Sequence, residues 1–211
     1  MFTKIFPIVN IESAFCHWKI DPSGNIKASH IGGVKKPLGI CSAMLMVWFK
    51  KSIASYGEIK SAVDLGSQHL MAIVNSSLFK KTMYGREYGM KEVNSLREAV
   101  SVLLASQGLR AVSPHIQLST GFNPVQATAY VARSKGYCII VLKHKDGGYH
   151  TLGGRSENGV YDFFDPNFGL FRSHDEPSFL KGMVEHLNNH YYLNNGFATG
   201  FGMISGVSMC E

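Results

Sequence analysis

Three residues in this chain have the side chains of a nucleophile, its base and the group that orients the base. Cys41 stands at the head of an almost continuous apolar run, GICSAMLMVWF (Gly39–Phe49). His150 sits within GGYHTLGG, and Asp165 ends VYDFFD ahead of Pro166. A thiol attacks a carbonyl as thiolate, so it needs a base to take its proton, and the base needs a third group to fix its tautomer. Cysteine, histidine and aspartate in this chain order supply those roles, and the chemistry is acyl transfer through a thioester.

The elements that must position them follow from the pattern. The run from about Ile40 to Ser55 is apolar on every side and too long for a strand, which predicts a buried helix ended by Tyr56-Gly57. Cys41 then lies at its N-terminus. There the helix dipole contributes roughly half a positive charge and favours thiolate, and the Cys41 backbone N–H is offered to an oxyanion. YCIIVLKH (Tyr137–His144), YHTLGG (Tyr149–Gly154), VYDFFD and FGLF (Phe168–Phe171) predict strands, with a tight turn at Asp146-Gly147-Gly148. His150 and Asp165 fall on adjacent strands, close enough to bond.

Helices are expected over Val63–Lys80, Lys91–Gln107, Asn123-Pro124 to Arg133, and Glu176–Tyr192, with a last strand in GFATGFGMISGV. Residues 1–38 read as irregular, with turn chemistry at Asp21-Pro22-Ser23-Gly24 and Gly32-Gly33. Helices first and an antiparallel sheet second describe an α+β domain of two packed layers, taken as one domain over residues 1–211.

Composition bounds the function. Of 211 residues, 45% are hydrophobic and 17% charged, which is globular and not disordered. The charge of +6 permits an anionic partner. The basic residues are scattered, however, with short pairs only at Lys35-Lys36, Lys50-Lys51 and Lys80-Lys81, so no nucleic-acid interface is expected. The four cysteines, Cys16, Cys41, Cys138 and Cys210, form no CxxC pair. Cys41 and Cys138 lie in apolar runs, which fits separate thiols in a reducing compartment, or export without a cleaved signal. MFTKIFPIVNIE is not a signal peptide, because its apolar run is broken by Pro7, and no run is long enough to span a bilayer.

Each residue also has a plain structural reading. A lone cysteine in an apolar run is usually core, a lone strand histidine is usually structural, and an aspartate before proline is a common turn residue. Their combination in order is what favours catalysis. Cys138 reads as core filler, and Cys16 and Cys210 as incidental. His186 and His190 have metal-ligand spacing, but HLNNH lacks the glutamate of HExxH and an evident third ligand, so they read as a solvated helix face. Trp18 and Trp48 read as core, and the glycines around His150 as turn and strand positions.

On these residues the sequence resembles the YopT/AvrPphB-type cysteine proteases, bacterial effectors with a papain-like fold. The Gly-x-Cys lead into a hydrophobic helix with a later Trp is GICSAMLMVW here. The histidine after a Gly-rich turn is His150 in GGYH, and the Phe-Phe-Asp-Pro-Asn-x-Gly segment is FFDPNFG, with Asp165. The resemblance implies a Cys41-His150-Asp165 endopeptidase, monomeric and without metal or organic cofactor. It implies a virulence effector secreted without a cleaved signal peptide and acting in host cytoplasm on a protein substrate such as a Rho-type GTPase or a protein kinase.

One departure concerns the oxyanion site. The family pattern has Gln or Asn five or six residues before the cysteine, where this chain has Lys36 and Lys35. The second donor beside the Cys41 backbone is then Lys36 or an amide from elsewhere, such as Asn25. No Gly-Cys near the N-terminus offers an acylation site, so no stable membrane anchor is expected. The same triad would also serve a transglutaminase or glutamine deamidase, and a non-catalytic binding module could keep the fold.

Overall fold

The protein is described by a computed structural model that covers residues 1–7, 30–31, 34–35, 41–60, 64, 100–101, 104–105, 107–113, 119–144, 149–192 and 198–210. In chain order its elements are β1 (Thr3–Pro7), β2 (His30–Ile31), β3 (Val34–Lys35), α1 (Cys41–Ala54), β4 (Leu109–Ser113), β5 (Ser119–Thr120), α2 (Pro124–Arg133), β6 (Gly136–His144), β7 (Tyr149–Glu157), β8 (Val160–Asp165), β9 (Gly169–Ser173), α3 (Glu176–Leu187), a π-helical turn (Asn188–Tyr192) and β10 (Ala198–Met209). The main sheet runs β1-β9-β8-β7-β6-β10-β4, with β5 also on β10, and every pairing in it is antiparallel. The expected strands and helices fall in place wherever residues are described. The helices expected over Val63–Lys80 and most of Lys91–Gln107 lie outside those residues, as do the turns at Asp21–Gly24, Gly32-Gly33 and Asp146–Gly148 and the residues Cys16 and Trp18.

The expectation of an irregular stretch over residues 1–38 is corrected at its start and again at His30–Ile31, which pairs antiparallel with Val34–Lys35 as β2 and β3. Thr3–Pro7 forms the edge strand β1, paired antiparallel with β9. Of its five residues only Phe6 is buried, so no alternation marks it as a strand. Its anchor lies just outside it. The Phe2 ring stacks on Phe171 at 5.2 Å and fills the space beside Gly182, where a Cβ would stand 2.3 Å from the ring. Strand β4 likewise has no strand pattern of its own, because Leu109–Ser113 carries exposed Arg110 and Val112 and takes its register from β10.

The sheet has helices on both faces. On one, α1 buries Leu45, Trp48 and Phe49; Trp48 stacks on Phe164 at 5.3 Å, and Ser52 Oγ lies 2.9 Å from the Tyr137 hydroxyl. On the other, Val131 of α2 and Phe179, Met183 and Leu187 of α3 pack with Cys138, Ile140, Leu152 and Phe163. Helix α2 starts as its sequence asks: the Asn123 side chain accepts from the Gln126 N–H at 3.1 Å, and Pro124 takes the first helical position.

Two consecutive glycines on β7 set the spacing of these layers. Successive strand residues face opposite sides. A Cβ at Gly153 would stand 2.4 Å from Leu45 Cδ1 and 2.5 Å from Trp48 Cζ3, and one at Gly154 would stand 2.4 Å from Val131 Cγ1. The missing side chains admit α1 on one face and α2 on the other. Gly153→Ala is therefore expected to destabilise the fold by about 1–3 kcal/mol through overpacking, read as a fall in denaturant midpoint at unchanged slope.

Helix α1 ends in a Schellman motif. The Gly57 N–H bonds Ser52 O at 2.7 Å and the Tyr56 N–H bonds Ile53 O at 3.1 Å, with Tyr56 left-handed at φ 53°. Arg155 and Arg172 then reach from β7 and β9 to the next carbonyls, Tyr56 O at 3.2 Å and Gly57 O at 2.7 Å. The helix is thus tied to the sheet at its C-terminal end.

Candidate active site

The other end of α1 is tied to the sheet next to His150. Ser42, in the first turn, is buried, and its Oγ accepts from Thr151 Oγ1 at 3.2 Å. The residue after Cys41 therefore touches the residue after His150. The backbone of Cys41 opens α1 as expected; its thiol, and the tentative oxyanion donors Lys36 and Asn25, lie outside the described side chains and residues.

His150 and Asp165 meet as the sequence expects. Strands β7 and β8 are neighbours in register Gly153↔Phe164, which sets His150 diagonally across the ladder from Asp165. His150 Nε2 lies 3.3 Å from Asp165 Oδ1, with His150 5% exposed and Asp165 fully buried. Strand alternation puts both on the face that α3 covers.

Two further residues complete this cluster. His186 Nε2 lies 2.8 Å from Asp165 Oδ2, and the Tyr191 hydroxyl donates to the same oxygen at 2.7 Å. Tyr191 Oη also stands 3.0 Å from His150 Nε2, and its ring stacks on the imidazole at 5.3 Å. The Asn167 backbone N–H donates to Asp165 Oδ1 at 2.9 Å. Burial alone would push the Asp165 carboxyl up; the bonds from His150 and His186 outweigh it and hold the group well below the ordinary carboxylate range.

This corrects the reading of His186 as part of a solvated face. Its ring is buried and edge-on to Phe163, Phe168 and Phe171. His190 is half-buried against Phe168 at 4.0 Å. A signal for His186 was present in the sequence: with Phe179 and Met183 it makes an i, i+4, i+7 stripe, which is the core-facing side of a helix. Tyr191 carried no comparable signal, because it reaches the cluster through a π-helical turn. Cys138 is core, as expected, and burial pushes its thiol up to about 12. Cys210 is exposed.

The arrangement holds the His150 imidazole on an ionised carboxylate and ties the residue after it to the first turn of α1, the helix that Cys41 opens. A histidine held in this way can take up and return one proton.

The chain is similar to known proteins in sequence and in fold. The profile of the Peptidase_C58 family, described as Yersinia/Haemophilus virulence surface antigen, matches residues 21–198. A YopT-like cysteine protease candidate of Bradyrhizobium diazoefficiens, blr2140, is 25% identical over 164 residues, 75% of this chain and 60% of that protein. The chain thus spans less than two thirds of that relative's length. The crystal structure of the Pseudomonas avirulence protein AvrPphB matches with a TM-score of 0.65 at 16% identity, over 81% of this chain and 92% of that one. At that identity the likeness is one of fold, and the fold is α+β and papain-like. The chain belongs to Peptidase_C58, the YopT/AvrPphB family of cysteine protease-like bacterial effectors.

Proposed function

We propose that this protein is a thiol endopeptidase in which Cys41 attacks a peptide carbonyl, His150 moves the proton and Asp165 orients His150. The observation that carries the reading is the double contact on β7. His150 is bonded to Asp165, and the next residue, Thr151, is bonded to the first turn of α1, one residue past Cys41. Because Nε2 is the nitrogen turned to Asp165, Nδ1 is the one that takes the thiol proton. The thiolate adds to the carbonyl, and the oxyanion is met by the Cys41 backbone N–H and a second donor, Lys36 or Asn25. The imidazolium protonates the leaving amine, and water, deprotonated by His150, releases the acyl group. All 211 residues form one such domain on this reading. The substrate is a host protein, a Rho-type GTPase or a protein kinase, met in host cytoplasm after secretion.

A peptidyl electrophile tests the nucleophile. Peptide mapping of the folded, treated protein is expected to place the adduct on Cys41 and none on Cys138, whose thiol is neutral and sealed. Mass spectrometry of treated eukaryotic extract then reports the bond made: new protein N-termini mark proteolysis, a one-dalton gain marks deamidation, and a crosslink marks transglutamination. No Cys41 adduct on a folded chain, or activity that survives Cys41→Ala, refutes the proposal.

A further inference from the structure

We propose that His186 and Tyr191 are positioning residues of this centre: with the Asn167 amide they occupy the acceptor sites of Asp165 that His150 does not use, and so fix His150 as its Nε2–H tautomer. The inference rests on the protease reading for its kinetic consequence, although the hydrogen-bond argument does not need it.

The argument is a count of donors and acceptors. An ionised carboxylate has about four acceptor sites and no donor. Asp165 meets four donors: the Asn167 N–H and His150 Nε2 at Oδ1, and His186 Nε2 and the Tyr191 hydroxyl at Oδ2. Since Asp165 only accepts, His186 must carry its proton on Nε2. The Tyr191 O–H points at Oδ2, the shortest of its described contacts at 2.7 Å, against 3.0 Å to His150 Nε2 and 3.4 Å to Asn167 Nδ2, which is itself a donor. Its oxygen is then an acceptor towards His150. Both described groups near His150 Nε2, Asp165 Oδ1 and Tyr191 Oη, now accept, so that nitrogen bears the hydrogen. A neutral imidazole protonated at Nε2 has its lone pair at Nδ1, as a base for the thiol requires.

The fold builds this arrangement with a local departure from α geometry. His186 and Tyr191 are five residues apart and meet the same carboxylate oxygen. An α-helix does not align residues at that spacing, but a segment bonded i→i+5 does, and Asn188–Tyr192 is π-helical. Among the described residues, the titratable groups around the carboxylate are His150 from β7, His186 from α3 and Tyr191 from the π turn. His190 lies one step out at 4.5 Å from the His186 ring, with Lys4 of β1 near His190.

The test uses the full chain as wild type, His186→Gln, His186→Leu and Tyr191→Phe, checked for fold by melting. Nitrogen NMR of the imidazole rings should show His150 with its proton on Nε2 in the wild type. His186→Leu and Tyr191→Phe are expected to mix the His150 tautomers and to shift the pH profile of Cys41 alkylation. They should lower kcat by about 10–100-fold with KM within about twofold, the usual cost of losing a partner that orients a working ligand or base. His186→Gln keeps an N–H donor and should restore most of the loss. If the variants fold and leave the His150 tautomer and the alkylation profile as in wild type, the inference is overturned, whatever their melting temperature. If the tautomer responds but wild type neither cleaves peptides nor labels at Cys41, the positioning stands and the protease reading falls.

Discussion

His150→Ala is expected to lower kcat/KM for peptide cleavage by about 10⁴–10⁶-fold. Cys41→Ala should cost as much, and the double variant no more, because the two act as one unit and their losses do not add. The fold should survive His150→Ala. Asp165 keeps three of its four donors, namely the Asn167 amide, His186 and Tyr191, so its charge is not left bare in the interior. The carboxylate that holds the base also stays ionised over the whole neutral range. Burial pushes the Asp165 carboxyl up, but its bonds to His150 and His186 hold it well below the usual range. A group depressed in this way contributes its stability in full above its unfolded value, about 4, and loses it as the pH falls towards the folded value. Neutral-pH kinetics thus report the missing imidazole and not a failing carboxylate. Matched single-turnover rates on wild type and both single variants check the expectation; a His150→Ala enzyme within tenfold of wild type would remove His150 from the mechanism.

How much of this was legible in the sequence depends on how local each signal is. Helix α1 was readable because every turn of it is apolar, and β6 to β9 because each is a short β-rich run bounded by glycine, asparagine or proline. His150 and Asp165 could be paired in advance because consecutive antiparallel strands usually lie side by side. Strands β1 and β4 are edges whose register comes from β9 and β10, and nothing within TKIFP or LRAVS states that pairing. The orienting half of the site was half legible. His186 sits on the Phe179–Met183 stripe and reads as core once the stripe is traced, whereas Tyr191 depends on a π turn with no evident composition of its own. The contact of Ser42 with Thr151 could not be foreseen either: two hydroxyls 109 residues apart carry no mutual pattern.

The second large effect lies away from the chemistry, at the far end of α1. Asp162 is fully buried and bonded to two arginines: Arg155 Nη1 reaches Oδ2 at 3.1 Å, and Arg172 Nη2 reaches the same oxygen at 3.0 Å. Arg172 Nε also lies 2.6 Å from Oδ1. The arginine side chains are only 6% and 13% exposed. The two guanidiniums hold the carbonyls of Tyr56 and Gly57, and Arg155 has one other carboxylate, the half-exposed Glu157 at 3.2 Å. Removing Asp162 takes from the desolvated Arg172 the carboxylate it is bonded to and leaves Arg155 with the half-exposed Glu157, and breaking a buried pair from one side costs about 3–5 kcal/mol. Asp162→Asn, nearly isosteric, is expected to destabilise the protein by that amount. The loss of charge and not of volume is responsible, so Asp162→Ala should be no milder. The consequence reaches the active site through the helix. With its C-terminal tie weakened, α1 is held at its first turn chiefly by Ser42 and by the packing of Leu45 and Trp48 on Gly153. Hydrogen exchange of the α1 amides should therefore quicken more in Asp162→Asn than exchange of the β6 amides does. Equal loss of protection in both elements, or a fall of less than about 1 kcal/mol by denaturant titration, would show that the arginine cluster is not what anchors the helix.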